Sequence, residues 1–440
     1  MLLMTPGITS RSIAAVVAAA ILAAATLSAA ESKSDAKRRA NMGPPPTARI
    51  DVGALGYTPP SRFYLIARLA NATLDFVDND HLLFTFREGG LLQRMPADPK
   101  DDDDQMVHAL VLDISTGKVQ QEERWRMHDR QHYLWSIGGG KFLVRQRNTL
   151  YSTDSHLELH PHMRFDNGLR GVEISPDHKL MMIEFEKYGP ASDGSSRPAP
   201  PLPSTTGAAP VAGGLSGPPP EHSSSTTILM MRTQDNTIIA KSEASHSVDL
   251  PLLEDGFLEV LEGKLPDQWI VMNKSFAGKT STIAELKSAC DPSITALSDT
   301  VSLAVSCPGG SSDHTVAAYS VSGALLWQSR WQSRYIWPTF EFAENGSRFA
   351  YGSLELNHAI GTMEPFGEDD VTGQPVGVFD TNTGKLNLVK TASPVLSSGH
   401  NYALSADGMR FAILREGAIE VYDLPPLEPV PVQAAKATKK

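Results

Sequence analysis

The 440-residue sequence has only two cysteines, Cys290 and Cys307. Their spacing resembles neither a zinc thiolate motif nor a haem-attachment motif. In an oxidising compartment an isolated pair is most simply explained by a disulfide, and the alternative is two buried free thiols. The sequence therefore predicts a disulfide between these two residues.

Long apolar runs are also scarce, and the longest one lies at the N-terminus, from Ile13 to Leu27. It follows Arg11 and precedes Ser28-Ala29-Ala30, which is the order of a secretory signal peptide. The run is short for a membrane span, although a retained anchor is the alternative. We expect residues 1–30 to be a signal peptide and the mature protein to be periplasmic or extracellular, with no span after cleavage.

Positive charge is in deficit, since 39 Lys and Arg residues face 50 Asp and Glu residues and give a net charge of −11. An acidic chain of this size is a poor candidate for nucleic-acid binding, which depends on neutralising phosphates. We therefore expect no nucleic-acid partner, and we expect a monomer.

Motifs of common enzymes are missing. The sequence has no G-x-S-x-G, H-E-x-x-H, P-loop or dinucleotide fingerprint, so we expect no prolyl-oligopeptidase-like hydrolase domain. Gly138-Gly139-Gly140-Lys141 is interpreted as a hairpin turn, because a strand follows it. The histidines at 156, 160 and 162 and the acidic run Asp101–Asp104 are interpreted as surface loops, so no metal and no cofactor are predicted.

Short apolar runs fill residues 47 to 424, separated by Gly, Asp, Asn, Ser and Pro. No segment sustains an amphipathic helical pattern, and Thr282–Ala289 comes nearest to one. Regular short strands with turn signals indicate an all-β sandwich, barrel or propeller.

Internal repeats decide between these architectures. One motif, a strand followed by a tight turn and a second strand, recurs at Val172–Met182, Phe340–Ala350 and Tyr402–Ala412. The turn is Asp-Gly in the last copy and Asn-Gly in the second, and His178 takes the glycine place in the first. A second motif, closed by Thr-Gly-Lys, recurs at Val111–Val119 and Val378–Leu386. The first motif supplies strands a and b of a four-stranded meander, and the second supplies strands c and d.

These repeats resemble those of secreted β-propellers of the WD40-like and YVTN type, over roughly residues 70 to 424. The resemblance implies an all-β propeller, and counting copies gives seven blades, with six or eight as alternatives. We expect a flexible linker over 31–46, the propeller over 47–426 with a disordered insertion at 189–225, and a disordered tail over 427–440.

The last repeat, Leu404–Asp423, provides only three strands before Pro425-Pro426 stops it. An open sheet edge invites aggregation, so its fourth strand should come from elsewhere. The sequence predicts that Ala48–Val52 or Phe63–Leu69 pairs with Ala418–Tyr422 and closes the ring.

Three long insertions, Gly89–Gln105, Tyr188–Ser225 and Asn357–Gln374, are all predicted between strands b and c. Successive turns of a meander alternate between its ends, so these insertions share one face with the d–a junctions. Two d–a junctions are rich in aromatic and basic residues, which suit ligand recognition. The alternative for Trp135 and Trp337 is that they wedge between blades. The candidate binding residues are Arg124, His128, Arg130, His132, Tyr133, Arg170, Arg334, Tyr335, Trp337 and His400.

We therefore expect a non-enzymatic module that binds a protein, peptide or glycan through this face. The alternative is a lactonase-like hydrolase with a metal or acidic site in the central channel. Convergence of inner-strand carboxylates or histidines would favour the enzyme, and Glu173, Glu259, Glu341 and His132 are the residues to inspect.

Overall fold

The computed structural model describes 12 parts of the chain, all after Gly43: 44–60, 65, 68–88, 105–129, 131–166, 168–187, 225–245, 248–309, 313–332, 334–359, 367–398 and 400–427. The predicted signal peptide, most of the predicted linker, Arg130, the insertion up to residue 224 and nearly all of the predicted tail lie outside these residues. No helix in the described ranges is long and apolar enough to cross a membrane.

Seven antiparallel sheets of four strands form a ring, which is a seven-bladed β-propeller and confirms the predicted fold. Blade one holds β2 (Ala72–Phe76), β3 (His81–Arg87), β4 (Gln105–Asp113) and β5 (Val119–Met127). Blade two holds β6 (Leu134–Ser136), β7 (Phe142–Gln146), β8 (Thr149–Thr153) and β9 (His160–Arg164). Blade three holds β10 (Leu169–Ile174), β11 (Leu180–Lys187), β12 (Ser225–Arg232) and β13 (Ile238–Ala244).

Blade four holds β14 (Leu252–Leu253), β15 (Gly256–Glu262), β16 (Gln268–Ser275) and β17 (Thr280–Lys287). Blade five holds β18 (Ser293–Ala296), β19 (Val301–Ser306), β20 (His314–Ser320) and β21 (Leu325–Trp331). Blade six holds β22 (Tyr335–Phe342), β23 (Arg348–Leu356), β24 (Val371–Asp380) and β25 (Leu386–Ala392). Blade seven holds β26 (Tyr402–Leu404), β27 (Arg410–Arg415), β28 (Ala418–Asp423) and, as its fourth strand, β1 (Ala48–Asp51).

The ring is closed by the N-terminal strand, as predicted. β1 pairs antiparallel with β28 in the register Ala48 with Val421 and Ile50 with Ile419. The backbone N–H of Thr47 extends the ladder to the Val421 carbonyl at 2.7 Å. Ile50 is only 4% exposed and packs in the core shared by blades seven and one. The first and last described parts of the chain therefore form one sheet, and β1 covers the edge that β28 would otherwise expose.

The recurrent a–b turn is built by its own side chains. In blade seven the Ser405 hydroxyl donates to Asp407 at 2.6 Å, and that carboxylate accepts the Met409 N–H at 2.9 Å. Gly408 follows at φ 68°, in the left-handed region that glycine adopts without a Cβ clash. This local chemistry explains why the turn was readable from sequence.

Blade four contains a strand that the sequence does not predict. Its inner strand, β14, has two residues and was not predicted, because two residues show no alternation. β15 approaches β16 so closely that a Cβ on Gly256 would overlap the Lys274 carbonyl. The segment with the nearest approach to a helical pattern lies mainly in β17, which is a strand.

The predicted disulfide is present: Cys290 is bonded to Cys307, and their Cα atoms are 5.6 Å apart. It joins the segment after β17 to the end of β19, across the boundary of blades four and five. The blades are also joined by large side chains. Trp327 of blade five stacks on Phe349 of blade six and donates to the Thr381 carbonyl at 2.9 Å.

Ring closure can be tested at Ile50. We expect Ile50→Ala to lower the free energy of unfolding by about 2–5 kcal/mol, because it empties a buried site in the closing sheet. Urea denaturation measures the change, and Ala54→Ser, an exposed residue just after β1, is the control. A loss below about 0.5 kcal/mol, the size of an ordinary surface substitution, would contradict a closing role for β1.

The disulfide gives a second test. Replacing both cysteines with alanine should lower the free energy of unfolding by about 3 kcal/mol, because a loop with a sequence separation of 17 is no longer constrained in the unfolded chain. An unchanged urea midpoint, with an unchanged slope, would show that the crosslink contributes nothing.

Candidate functional site

The inner strands surround a polar channel. A cavity of about 410 Å³ opens toward the d–a junctions and another of about 560 Å³ lies toward the a–b turns. The two cavities share five lining residues, so they form one channel. The shared residues are Asp75, Ser136, His178, Glu341 and Phe342.

One strand position supplies most of the channel chemistry. Asp75, Trp135, Glu173 and Glu341 are the next-to-last residues of β2, β6, β10 and β22, and all four line the cavity that faces the d–a junctions. The repeated register explains this layer, because side chains alternate along a strand and equivalent positions point the same way. Three carboxyl groups and one indole thus share one level of the channel.

Two histidines form the next layer. His132 and His400 each lie two residues before an inner strand, β6 and β26 respectively, and their ring centroids are 4.8 Å apart. His132 also contacts the Trp135 ring, at 4.6 Å between centroids. His400 forms an ion pair through Nδ1 with Glu341, which links the histidine layer to the carboxyl layer.

The two histidines have opposite electrostatic environments. Burial opposes a charge on His400, but Glu341 and then Asp75 outweigh it and raise the pKa of His400 to about 9. Burial, and then the charge of His400, lower the pKa of His132 to about 3. At neutral pH the pair therefore consists of an imidazolium and a neutral imidazole.

Two of the carboxyl groups, Asp75 and Glu173, have a raised pKa, which favours their protonated form. Burial, and then the nearby Glu341, raise the pKa of Asp75 to about 7, against the opposing effects of His400 and His178. Burial, followed by Asp249 and Glu184, raises the pKa of Glu173 to about 8. Such groups can exchange protons or gain charge when a cationic ligand arrives.

The a–b end of the channel is crossed by a bridge. Glu344 of blade six lies 3.4 Å from Nδ1 of His178 in blade three and accepts a hydrogen bond from the Gly139 N–H of blade two. The His178 hydrogen bond chiefly lowers the pKa of Glu344. Blade six is separated from blades two and three by other blades on either side, so these contacts cross the channel.

Some predicted residues belong to the channel. His132, His400 and Arg170 line its d–a cavity. Arg170 also holds Glu186 with two nitrogens, at 2.6 and 2.9 Å. Of the residues to inspect, Glu173, Glu341 and His132 converge there, whereas Glu259 pairs with Lys274 and does not line either cavity.

Tyr133 has a different place. Its side chain is fully buried between blades one and two, where its hydroxyl lies 2.6 Å from that of Thr85 and its ring receives the Arg87 guanidinium at 5.4 Å. A ligand cannot reach this side chain without opening the core.

The second aromatic junction, from Arg334 to Trp337, lies at the start of β22, which is the end of this strand that faces the d–a junctions. Arg334 pairs with Glu355 at 3.0 Å and covers the ring of Tyr335 at 5.2 Å. Trp337, at φ 48°, lies under the guanidinium of Arg68 at 4.2 Å. These residues share the d–a face with the channel mouth but do not line the channel.

Arg124 and His128 lie farther out on blade one. Arg124 is exposed on the outermost strand β5 and pairs with Glu88 at 2.6 Å. His128 lines a separate peripheral cavity between blades one and two. Arg130 is outside the described residues.

The sequence reading missed Asp75, His178 and Glu344. His178 carried a usable signal, since it occupies the glycine position of the repeated turn and adopts φ 58° there. Asp75 gave no local signal, because its exposure to the channel depends on the ring. In the described residues, no group of three or more His, Cys, Asp or Glu is arranged to hold a metal ion.

Comparisons with known proteins concern the fold. No known family matches the sequence, and no curated protein does. The acylaminoacyl peptidase of Pyrococcus horikoshii is similar at 10% identity and TM-score 0.47, covering 85% of this chain and 54% of that one. The C-terminal WD40 domain of Sif2 is similar at 11% identity and TM-score 0.41, covering 82% of this chain and 98% of that one. A protein from Agrobacterium tumefaciens described as a putative TolB is similar at 12% identity and TM-score 0.36, covering 70% of this chain and 94% of that one.

The chain thus spans about half the length of the acylaminoacyl peptidase that it matches. The resemblance to WD40 and TolB proteins is one of architecture, the β-propeller, and extends no further.

The channel predicts a stability profile that falls on the alkaline side. Folding raises the pKa of His400, Asp75 and Glu173. Each group therefore contributes its full stability below the pKa that it has in the unfolded chain, and the contribution is lost as the pH rises through its folded-state pKa, between about 7 and 9. His132 acts the other way, and its effect is lost as pH falls from about 6.5 toward 3. We expect maximum stability at mildly acidic pH.

Urea denaturation at pH 6 and pH 9 measures this profile. The fall toward pH 9 should shrink in the Asp75→Asn/Glu173→Gln variant and persist in Asp235→Asn, whose exposed carboxylate is ionised throughout this interval. Equal falls in all three proteins would show that the channel carboxyls do not carry the effect.

Proposed function

We propose that this chain is an exported binding module that takes a protein, peptide or glycan ligand at its d–a face, with a ligand group entering the channel. The observation that carries the proposal is the layer of Asp75, Glu173 and Glu341 behind His132 and His400. A channel that collects carboxyl groups favours a cationic or hydrogen-bond-donating group, such as an amine.

The surroundings of the mouth support a binding role. The described residues that flank the three predicted insertions are the ends of β3 and β4, of β11 and β12, and of β23 and β24, which lie on the same side of their blades as the mouth. Loops on a rigid scaffold vary freely and carry recognition more often than the scaffold itself. Trp135 and Tyr335 provide aromatic surface on this side of the ring, and both are partly exposed.

Channel carboxyls that serve binding have a cost for folding. Burying carboxyl groups close to one another reduces the free energy of unfolding, and such a cost is typical of functional sites. Replacing them with amides of similar shape should therefore weaken ligand binding without weakening the fold.

This expectation gives a sharp test. Wild type and Asp75→Asn/Glu173→Gln are presented to peptide and glycan libraries, and the captured ligands are measured by titration at pH 7.5. We expect the variant to lose at least tenfold in affinity and to unfold at an equal or higher urea concentration. Tyr335→Ala should also weaken capture, because it removes exposed aromatic surface at the rim, and Asp235→Asn is the control.

The proposal fails if ligands bind the channel variant as tightly as the wild type. It also fails if the affinity and the stability fall together, since the carboxyls would then be structural.

A second candidate, a hydrolase sited in the channel, is favoured by one observation. Asp75, Glu341, His132 and His400 converge, and a carboxyl group with pKa near 7 beside a charged histidine can act as a general acid or base. The reaction would be hydrolysis of a lactone or another ester at this cluster. A panel of lactone and ester substrates tests it: turnover that disappears in Asp75→Asn supports an enzyme, and absence of turnover rejects one for that panel.

A further inference from the structure

A second cavity, unrelated to the channel, lies between blades one and two. Its volume is about 510 Å³, and it is lined by residues of β5, of the β7–β8 turn and of the end of β9. All three segments reach the b–c and d–a face. None of its lining residues lines the channel, so it is a separate site.

The cavity concentrates positive charge on an acidic protein. Arg126, Arg147 and Arg164 line it together with His128, and Asp166 is the one acidic group among its lining residues. Three guanidinium groups and one carboxylate give the wall an excess of about two positive charges, whereas the whole chain carries −11. Arginine is the side chain best suited to hold carboxylate, phosphate or sulfate with paired hydrogen bonds.

The most unusual backbone in the cavity belongs to Arg147. It forms the turn after β7 at φ 57°, a left-handed conformation that a long side chain rarely adopts. The turn is fixed on both sides: the Arg147 N–H donates to Asp129 at 2.6 Å, and the Phe165 N–H donates to the Asn148 carbonyl at 2.8 Å. Asp129 also pairs with Arg145 at 2.9 Å. Glu416 adopts the same conformation in the corresponding turn of blade seven, so the positive φ follows from the two-residue hairpin. The hydrogen bonds fix the position of the Arg147 backbone at the cavity wall.

We propose that this cavity is a binding site for the oxyanion of a small organic anion, such as a sugar acid or a sugar phosphate. Arg147 and Arg164 are both exposed and bind the anionic group from the turn and from the end of β9. Tyr151, which also lines the cavity, contacts the body of the ligand. The site does not depend on the channel or on the function proposed for it.

Isothermal titration calorimetry of the full protein tests the site with three probes: inorganic phosphate, glucuronate and glucose 6-phosphate, in a zwitterionic buffer. We expect saturable binding of at least one probe, weakened by added salt because the contacts are ionic. If a sugar probe binds more tightly than inorganic phosphate, Tyr151 contacts the sugar. If the two bind equally, the site recognises only the oxyanion. Both results support the site.

The decisive variant is Arg147→Asn/Arg164→Gln. Asparagine tolerates the left-handed conformation at 147, so the turn is preserved. We expect the Kd to rise at least tenfold, which corresponds to about 1.4 kcal/mol. Arg124→Gln, which removes an exposed arginine of the same blade outside the cavity, should bind like the wild type.

Two results would overturn the proposal: no saturable heat with any of the three probes, or unchanged affinity in the double variant. If the double variant does not fold, Arg164→Gln alone decides, since its exposed side chain is replaced without changing the turn, and its affinity must fall. Either failure leaves the proposed role of the channel untouched.

Discussion

The pairing of β1 with β28 is the constraint on which the rest of this structure depends. It joins residues near the start of the chain, such as Ile50, to the last blade, and so fixes where blade one stands relative to blades six and seven. Asp75 comes from blade one, whereas Glu341 and His400 come from the other side of that closure. The carboxyl group of Asp75 lies close enough to Glu341 and His400 to interact with them because the four residue pairs between β1 and β28 close the ring.

Inside the closed ring, repetition of one strand register determines the chemistry. In four blades the next-to-last residue of the inner strand lies at the same level of the channel, and these residues are Asp75, Trp135, Glu173 and Glu341. Burial favours the protonated forms of Asp75 and Glu173, so placing these carboxyl groups in the channel does not stabilise the ionised protein. The charged His400 offsets part of this cost at Glu341, and the bridge from Glu344 to His178 fastens the far end of the channel. The proposed ligand site gives these groups a role that folding does not require.

Much of the fold was predictable because its signals are local. Ser405, Asp407 and Gly408 form a turn through their own hydrogen bonds and the backbone freedom of glycine. Recurrence of this turn predicts hairpins, and recurrence of the hairpins predicts blades. The missing fourth strand of the last blade could be assigned to the N-terminus by the need to cover an edge. The two-residue β14 could not be predicted, because a pair so short has no pattern of its own.

The site was less predictable, because exposure to a channel is a property of the whole ring. Sequence reading selected His132, Arg170 and His400, which line the channel, together with Tyr133, which is buried, and Arg124, which lies on an outer strand. Nothing near Tyr133 in the sequence tells that its hydroxyl meets Thr85 of the preceding blade. The measurement that tests ring closure most directly is hydrogen exchange of the peptide that covers residues 44–52. A closed ring predicts that the amides of Thr47 and Val52, which donate to the Val421 and Gly417 carbonyls, exchange much more slowly than those of an exposed loop, and exchange as fast as in such a loop would contradict it.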